Sequence, residues 1–420
     1  MFRPIFIECG TPFCHAARAQ SSVTLYGFPD DAIVYSNCSS PASAVGGPKI
    51  FQMASSSESL WGLSGRGDLG GGTRALYQRE NGFNSNGGVF GEDSQLFGRQ
   101  AVVGLSNPHM GKLMMRRVYD FISDYVGPLV FSRQWAGGMG AHAGESNNLY
   151  NSSCLTNNAT YTTSHINGLV LRGAYTFSSQ ASSTGRAGFA KDRAYTVGAC
   201  YQNGPLVTAA SYLEVNQSTA GNMGGSNQSG AGAGDYVNLR HIFSGPAVRL
   251  QAVAGGSNYR RGSFMAGPVY CPVKLSYACR TWPKLSNYET NSRYPLAAGW
   301  RAGVTFFYMD GYADEGNSLH KFAVGTRPKW ERVNLGRDNT LSKRISLYEF
   351  PAWQKVTWNA TRAAIFNSSR LSGRRTAANS VPRLKCAHNS SHRQPLNQRS
   401  AEVIGPNNSL GVFGAWDIET

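Results

Sequence analysis

From Ser21 onward apolar side chains recur at every second position, the period of a β-strand. In Leu169 to Phe177 the residues Leu169, Leu171, Tyr175 and Phe177 share one face, while Arg172 and Thr176 share the other. Such a strand is apolar on one side only. Tyr195, Val197, Ala199 and Tyr201 repeat the pattern, the chain turns at Asn203-Gly204-Pro205, and Leu206, Ala210 and Tyr212 return. Asn-Gly turn chemistry predicts a tight hairpin there. The same unit follows Gly245-Pro246 with Val248, Leu250, Ala252 and Ala254, and Tyr294-Pro295 with Trp300, Ala302, Val304, Phe306 and Tyr308. Between these hairpins lie long Gly-, Ser- and Asn-rich segments such as Gln217 to Gly234 and Asp310 to Thr326.

Short turns at one end and long polar loops at the other are the arrangement of an outer-membrane barrel. The strand faces opposite the apolar ones carry Arg and Thr instead of a second apolar layer, and the chain runs as one long meander without a helical period. A polar lumen explains both. Strands ending in aromatic residues, among them Tyr26, Tyr77, Tyr201, Trp300 and Trp353, suit girdles at two membrane interfaces. The expected fold class is all-β, an antiparallel transmembrane β-barrel.

Composition narrows the choice. The 420 residues are 41% hydrophobic and 11% aromatic, enough to bury a sizeable surface, which excludes a disordered chain. No uninterrupted apolar run reaches about 18 residues, so a helical membrane span is excluded, whereas membrane strands need only about 9 to 11 residues and remain compatible. Lys+Arg 40 against Asp+Glu 24 gives a net charge of +16. The basic residues are scattered rather than clustered, which argues against nucleic acid and for counter-charge to anionic lipopolysaccharide or a lumen that favours anions. The Cys 8, at Cys9, Cys14, Cys38, Cys154, Cys200, Cys271, Cys279 and Cys386, form no CxxC pair and meet no paired His spacing. They read as single thiols, with neither a metal site nor a cofactor expected.

Catalytic signals are weak. Gly65, Gly67 and Gly70 spell GxGxxG, but Thr73 to Glu80 alternates as a strand and no βαβ unit surrounds it. No GxSxG and no HExxH occurs, and His142 and His165 have no evident nucleophile beside them, so an enzyme is not expected. Residues 1–19 pair a small-x-small ending, Ala17-Arg18-Ala19, with an apolar core cut by Glu8, Gly10 and Pro12; they read as a degraded signal-peptide-like segment.

Ser21 to Gly27, Trp61-Gly62-Leu63 with Asp68 to Gly72, Glu80 with Gly82-Phe83, and Leu96 to Leu105 together resemble the trimeric general porins of Gram-negative bacteria. Tyr119-Asp120, Asp124 to Leu129, Arg193 to Leu206, Lys329 to Gly336 and Leu341 to Arg344 extend the match in the family's order over most of the chain. The resemblance implies a barrel of about 16 strands in the cell outer membrane, a homotrimer in contact with outer-membrane lipid and lipopolysaccharide, and passive diffusion of small hydrophilic solutes and ions. It also implies that a loop running from Asp124–Leu129 to about Asn151 folds into the lumen and narrows it. Glu145 is the one acid of that stretch, and the family's ladder of wall arginines falls on Arg74, Arg99 and Arg117. These residues are the expected pore constriction, and their balance implies a modest anion preference. Leu60 stands where the family has a further wall arginine, and Arg116 where it has glycine.

The barrel is expected over residues 20–389, with 390–420 as an atypical, disordered tail. Family members end in a short strand closed by Phe, whereas this chain ends Ile418-Glu419-Thr420. The best closing strand is Val381 to His388, expected to pair with Ser21 to Gly27, because an unpaired edge in lipid is prohibitive. The alternatives are a secreted or surface β-rich adhesin and a corrupted, non-functional porin copy.

Overall fold

Alternating side chains suit strands because successive Cβ atoms leave opposite faces of the sheet, and this chain is built almost wholly that way. The computed structural model describes residues 22–36, 50–151, 153–177, 193–216, 247–277, 282–312 and 327–357, apart from 55, 56, 58, 92–94, 298 and 343, together with the backbone of 363–364, 372–373, 376–380 and 382–386. The segments 1–19, 217–234 and 390–420, on which several of the sequence expectations fall, lie outside the described residues.

The main sheet has 20 strands, all paired antiparallel. Four crossings are each broken once, so the strands make 16 spans. Span β1 is Ser22–Phe28 continued by Asp30–Ser36, and β2 is Ile50–Ala54 continued by Ser59–Gly70. Then come β3 (Thr73–Phe83), β4 (Gln100–Asn107), β5 (Gly111–Tyr119), β6 (Cys154–Thr162) and β7 (Leu169–Thr176). The hairpin predicted around Asn203-Gly204 is present as β8 (Arg193–Asn203) and β9 (Leu206–Asn216), with Asn203 opposite Leu206. Four long spans follow, β10 (Ala247–Arg261), β11 (Phe264–Tyr277), β12 (Lys284–Ala297) and β13 (Trp300–Tyr312). Last are β14 (Lys329–Thr340), β15 (Ile345–Glu349 with Ala352–Thr357) and β16 (Thr376–Ser380 with Pro382–Cys386).

The register closes on itself. Pro382–Cys386, within the expected closing segment, pairs with β15 on one side and with β1 on the other. It meets β1 at Asp30, Asp31 and Ala32 rather than within Ser22–Phe28. Pro29, which lacks an N–H, separates the two halves of that first span. Pro382 itself stands at the first position of its strand, where a missing donor is tolerated. Following pairs around the sheet keeps one face throughout: Tyr26 lies opposite Gly62, Gly62 opposite Glu80, Val102 opposite Arg116, Arg116 opposite Asn158 and Thr176 opposite Ala194. The sequence continues through Leu250 opposite Leu275 and Met309 opposite Trp330 to Ser346 opposite Lys385, which faces Asp30. A face that returns to itself closes the sheet into a barrel, and the buried residues packed under the loop between β5 and β6 mark this face as the inside.

The other face carries Val103, Leu105, Leu113, Met115, Val253, Phe306 and Leu335, all exposed in the isolated chain. Removal from water favours such a band by roughly 25 cal/mol per Å² of apolar surface, which lipid supplies. Tyr270, Tyr288 and Tyr308 stack across three neighbouring spans of this face, at centroid separations of 4.7 and 6.0 Å. Among the described residues no helix is long and apolar enough to cross a membrane; the chain crosses with strands.

Candidate functional site

Between β5 and β6 the chain leaves the wall for a run of short helical turns, from Ile122–Val126 to Ala143–Glu145. Both ends of this loop are tied at one place. The Asp120 carboxylate accepts from the backbone N–H of Ile122 at 2.7 Å and of Ser123 at 3.2 Å, which bends the chain inward. Its other oxygen accepts from the Asn148 amide, which also donates to the Ser153 carbonyl at 2.9 Å and accepts from its N–H at 2.8 Å. Asn148 has φ 56°, a left-handed value that Asn tolerates.

Ile122, Val126, Leu129, Val130 and Leu149 of the loop pack on the inward residues Leu213, Ala252, Ala254, Val269 and Cys271 of β9 to β11. Each such side chain contributes about 1.5–3 kcal/mol when fully buried. The close approach requires a bare wall at Gly198, where a Cβ would lie 2.8 Å from the Tyr125 ring. Gly127 answers it on the loop, where a Cβ would lie 2.6 Å from the Leu149 carbonyl oxygen.

The far end is moored to β12. The Glu289 carboxylate accepts from the Phe131 N–H at 2.7 Å and meets His142 Nε2 at 2.9 Å. The Asn147 amide meets His142 Nδ1 at 2.7 Å, so Nε2 carries the proton that points at Glu289. Asn291 and Gln134 both donate to the Leu129 carbonyl, at 2.9 and 2.8 Å. The His142 ring lies on Phe307 with centroids 4.4 Å apart, and the Arg332 guanidinium lies 5.3 Å from the same ring.

Arginines surround the root of the loop. Arg172 Nη1 is 2.8 Å from Asp124 Oδ2, and Arg116 Nη1 is 4.0 Å from the same oxygen. Both guanidinium groups face the Phe121 ring, at 5.6 Å for Arg116 and 5.1 Å for Arg172, and Arg116 Nε donates to Thr160 Oγ1 at 2.8 Å. Beside them, on β1, β3 and the residue before β4, Arg99 Nε is 2.9 Å from Glu80 Oε1, Tyr26 donates to Glu80 Oε2 at 2.9 Å, and Gln78 donates to the Tyr26 oxygen at 2.7 Å.

The four residues expected at the constriction are not brought together. Arg99 joins the Glu80 network and is buried. Arg74 faces inward but is exposed beside the short turn that joins β2 and β3. Arg117 shares the outward parity of the exposed Leu113 and Met115 and donates to the Gly98 carbonyl, while Arg116 occupies the inward face. Glu145 is buried within the loop, where one oxygen accepts from the Tyr150 N–H and the other has no hydrogen-bond partner. Burial pushes its carboxyl up to about 8, against the pull of that N–H and of Arg133. Arg116, Arg172, Arg332, His142 and Glu289 line the site outside the expected constriction set; the alternation that put Arg172 opposite Leu171 marks the arginines, whereas nothing local marks the pairing of His142 with Glu289.

Comparisons with known proteins agree with this architecture. A family model described as Gram-negative porin matches residues 11–379. An outer membrane porin protein of Bordetella pertussis is 34% identical over 372 residues, covering 82% of this chain and 91% of that protein. Outer membrane porin protein 32 of Delftia acidovorans is 35% identical over 141 residues, 30% of this chain and 37% of that one. Among solved structures, an anion-selective porin from Comamonas acidovorans superposes with a TM-score of 0.64 at 18% identity, covering 88% of this chain and 100% of that one. A trimer form of OmpT, an outer membrane protein of Vibrio cholerae, does so at 0.60 with 12% identity, covering 87% and 99%.

Proposed function

Because this chain belongs to the Gram-negative porin family, an outer-membrane β-barrel through which small hydrophilic solutes and ions diffuse passively, we propose that its channel is non-catalytic, works as a homotrimer in contact with lipopolysaccharide, and has a modest preference for anions. The observation that carries the preference is that the acids around the loop are committed. Glu80 is held by Arg99 and Tyr26, Asp124 by Arg172, Asp120 by backbone N–H groups and Asn148, and Glu289 by the loop itself. Glu145 is uncharged through much of the neutral range. With Arg99 and Arg172 each paired to a carboxylate, the charge left to act on solutes is the guanidinium of Arg116 and Arg133, and a narrow, low-dielectric passage strengthens its field. In this reading Arg99 belongs to the constriction, Arg74 acts at the mouth, and Glu145 shapes the loop. The absence of Arg at Leu60 keeps the bias modest.

Purified protein in a planar bilayer should give reversal potentials displaced toward the chloride value in a salt gradient, and Arg99→Gln with Arg172→Gln should reduce the displacement. A wild-type channel that prefers potassium would refute the preference. A soluble monomer that forms no pore would refute the channel.

A further inference from the structure

Away from the loop, the short-turn end of the barrel gathers basic side chains on its inner face. Arg66 and Arg74 flank the turn between β2 and β3, and Lys112 stands just after the turn into β5. Across the barrel Arg260 lies opposite Met265, Met265 opposite Arg293, and Arg293 opposite Gly303, with Arg301 two positions before Gly303 on β13. Three guanidinium side chains therefore rise from the same inward face within four adjacent spans. Unlike the buried Arg116 and Arg172, these groups reach water: Arg66, Arg74 and Arg260 are exposed, and Arg293 and Arg301 are half-buried.

The inward acids near them are Asp68 and Asp338. Asp68 accepts from the Gly70 N–H at 2.8 Å and shapes its own turn. Asp338 is taken by Arg301, with Nε 2.9 Å from Oδ1. Arg66, Arg74 and Arg260 make no ion pair among the described residues, and Arg293 reaches only the Met265 sulfur, at 3.5 Å. This wall therefore holds several accessible positive charges in excess at one height of a water-filled tube.

We propose that the short-turn mouth is an anion-binding vestibule that selects small polyanions, molecules bearing two or more phosphate or carboxylate groups, over monovalent ions. The proposal rests on the reading of the chain as a diffusion channel and names a solute class for it. The physical ground is spacing. Arg260 on β10 and Arg293 on β12 stand two strand spacings of ~4.8 Å apart. One chloride cannot span that patch, whereas two linked anionic groups can each meet a guanidinium with paired N–H donors.

The test uses full-length protein in detergent and inorganic pyrophosphate as the probe. Calorimetry at 0.1 M KCl should give at least ~10-fold tighter binding to wild type than to Arg260→Gln/Arg293→Gln, with citrate ordered likewise and chloride competing weakly. Arg261→Gln should keep pyrophosphate binding, because Arg261 is exposed beside Arg260 with the outward parity of the same span. In a bilayer, pyrophosphate should depress chloride current through wild type and not through the double variant, whose conductance at 1 M salt serves as the folding control. Equal binding to wild type and the double variant would overturn the vestibule, as would pyrophosphate binding no tighter than chloride. A cation-preferring channel would overturn the anion preference proposed above and leave the calorimetric comparison to decide the vestibule alone.

Discussion

The two halves of the inner wall differ in kind. From β8 to β14 the inward positions carry Leu213, Val215, Leu250, Val273, Leu285 and Met309, all buried, and the loop lies along part of this sector. From β1 to β4 the inward positions carry Thr24, Tyr26, Ser64, Gln78, Glu80 and Gln100. A half-buried sheet normally has one apolar face; here the inner face of β8 to β14 combines apolar positions with the polar anchors Glu289 and Asn291 to bind the loop, while β1 to β4 present polar side chains to the lumen. The open path is therefore set by which wall the loop does not need.

The largest expected effect comes from releasing the loop from its wall. Glu289→Ala removes the acceptor of both Phe131 and His142, and breaking such a buried set destabilises by about 3–5 kcal/mol. Single-channel recordings should show a wider, noisier pore. If conductance and noise match wild type, the mooring does not define the passage. A smaller effect follows from crowding the contact: Gly198→Val drives a side chain into Tyr125 and Phe121, and overpacking of this kind costs about 1–3 kcal/mol. The heat-dissociation temperature should fall, while Gly173→Val, facing open space on the outer surface, should leave it nearly unchanged. Equal losses at both positions would remove the contrast between the walls.

The smallest effect is electrostatic. The folded-state pKa of Glu145 is raised to about 8, so the folded protein holds its proton more tightly than the unfolded chain. The sign follows: the contribution is fully present below the unfolded value, near 4.3, and is lost as pH rises through about 8. Between pH 6 and 9 the loop should gain a negative charge, loosen slightly, and lose part of its anion preference. Reversal potentials at the two pH values measure this, and Glu145→Gln should abolish the difference; a difference that survives the substitution assigns the titration elsewhere.

Much of the barrel is legible in the chain because period two is a local signal, and each hairpin repeats it. The assignment of Arg172 to the inner face follows from Leu171 beside it, and the same parity separates Arg116 from Arg117. A motif match counts positions along a family pattern and carries no facing, which is how Arg117 entered the expected ladder. The mooring of His142 on Glu289 joins residues far apart in sequence through a loop without a period, so no window of the sequence holds both. Burial of Glu145 is equally a property of the folded loop. Pro29 lacks the N–H a strand needs, but its effect on which half of β1 meets the closing strand depends on the register of the whole circuit.

That circuit has a kinetic consequence. Asp30 and Lys385 are neighbours across the seam although nearly the whole chain separates them, whereas every hairpin in between forms from adjacent segments. Contacts of such long sequence separation form slowly, after local ones have reduced the loop entropy opposing them. The seam is thus the last ladder to zip, and until it does the protein presents two open strand edges that lipid cannot satisfy. Substitutions around Pro29 and Pro382 should be read as changes to the rate of assembly before they are read as changes to the finished pore.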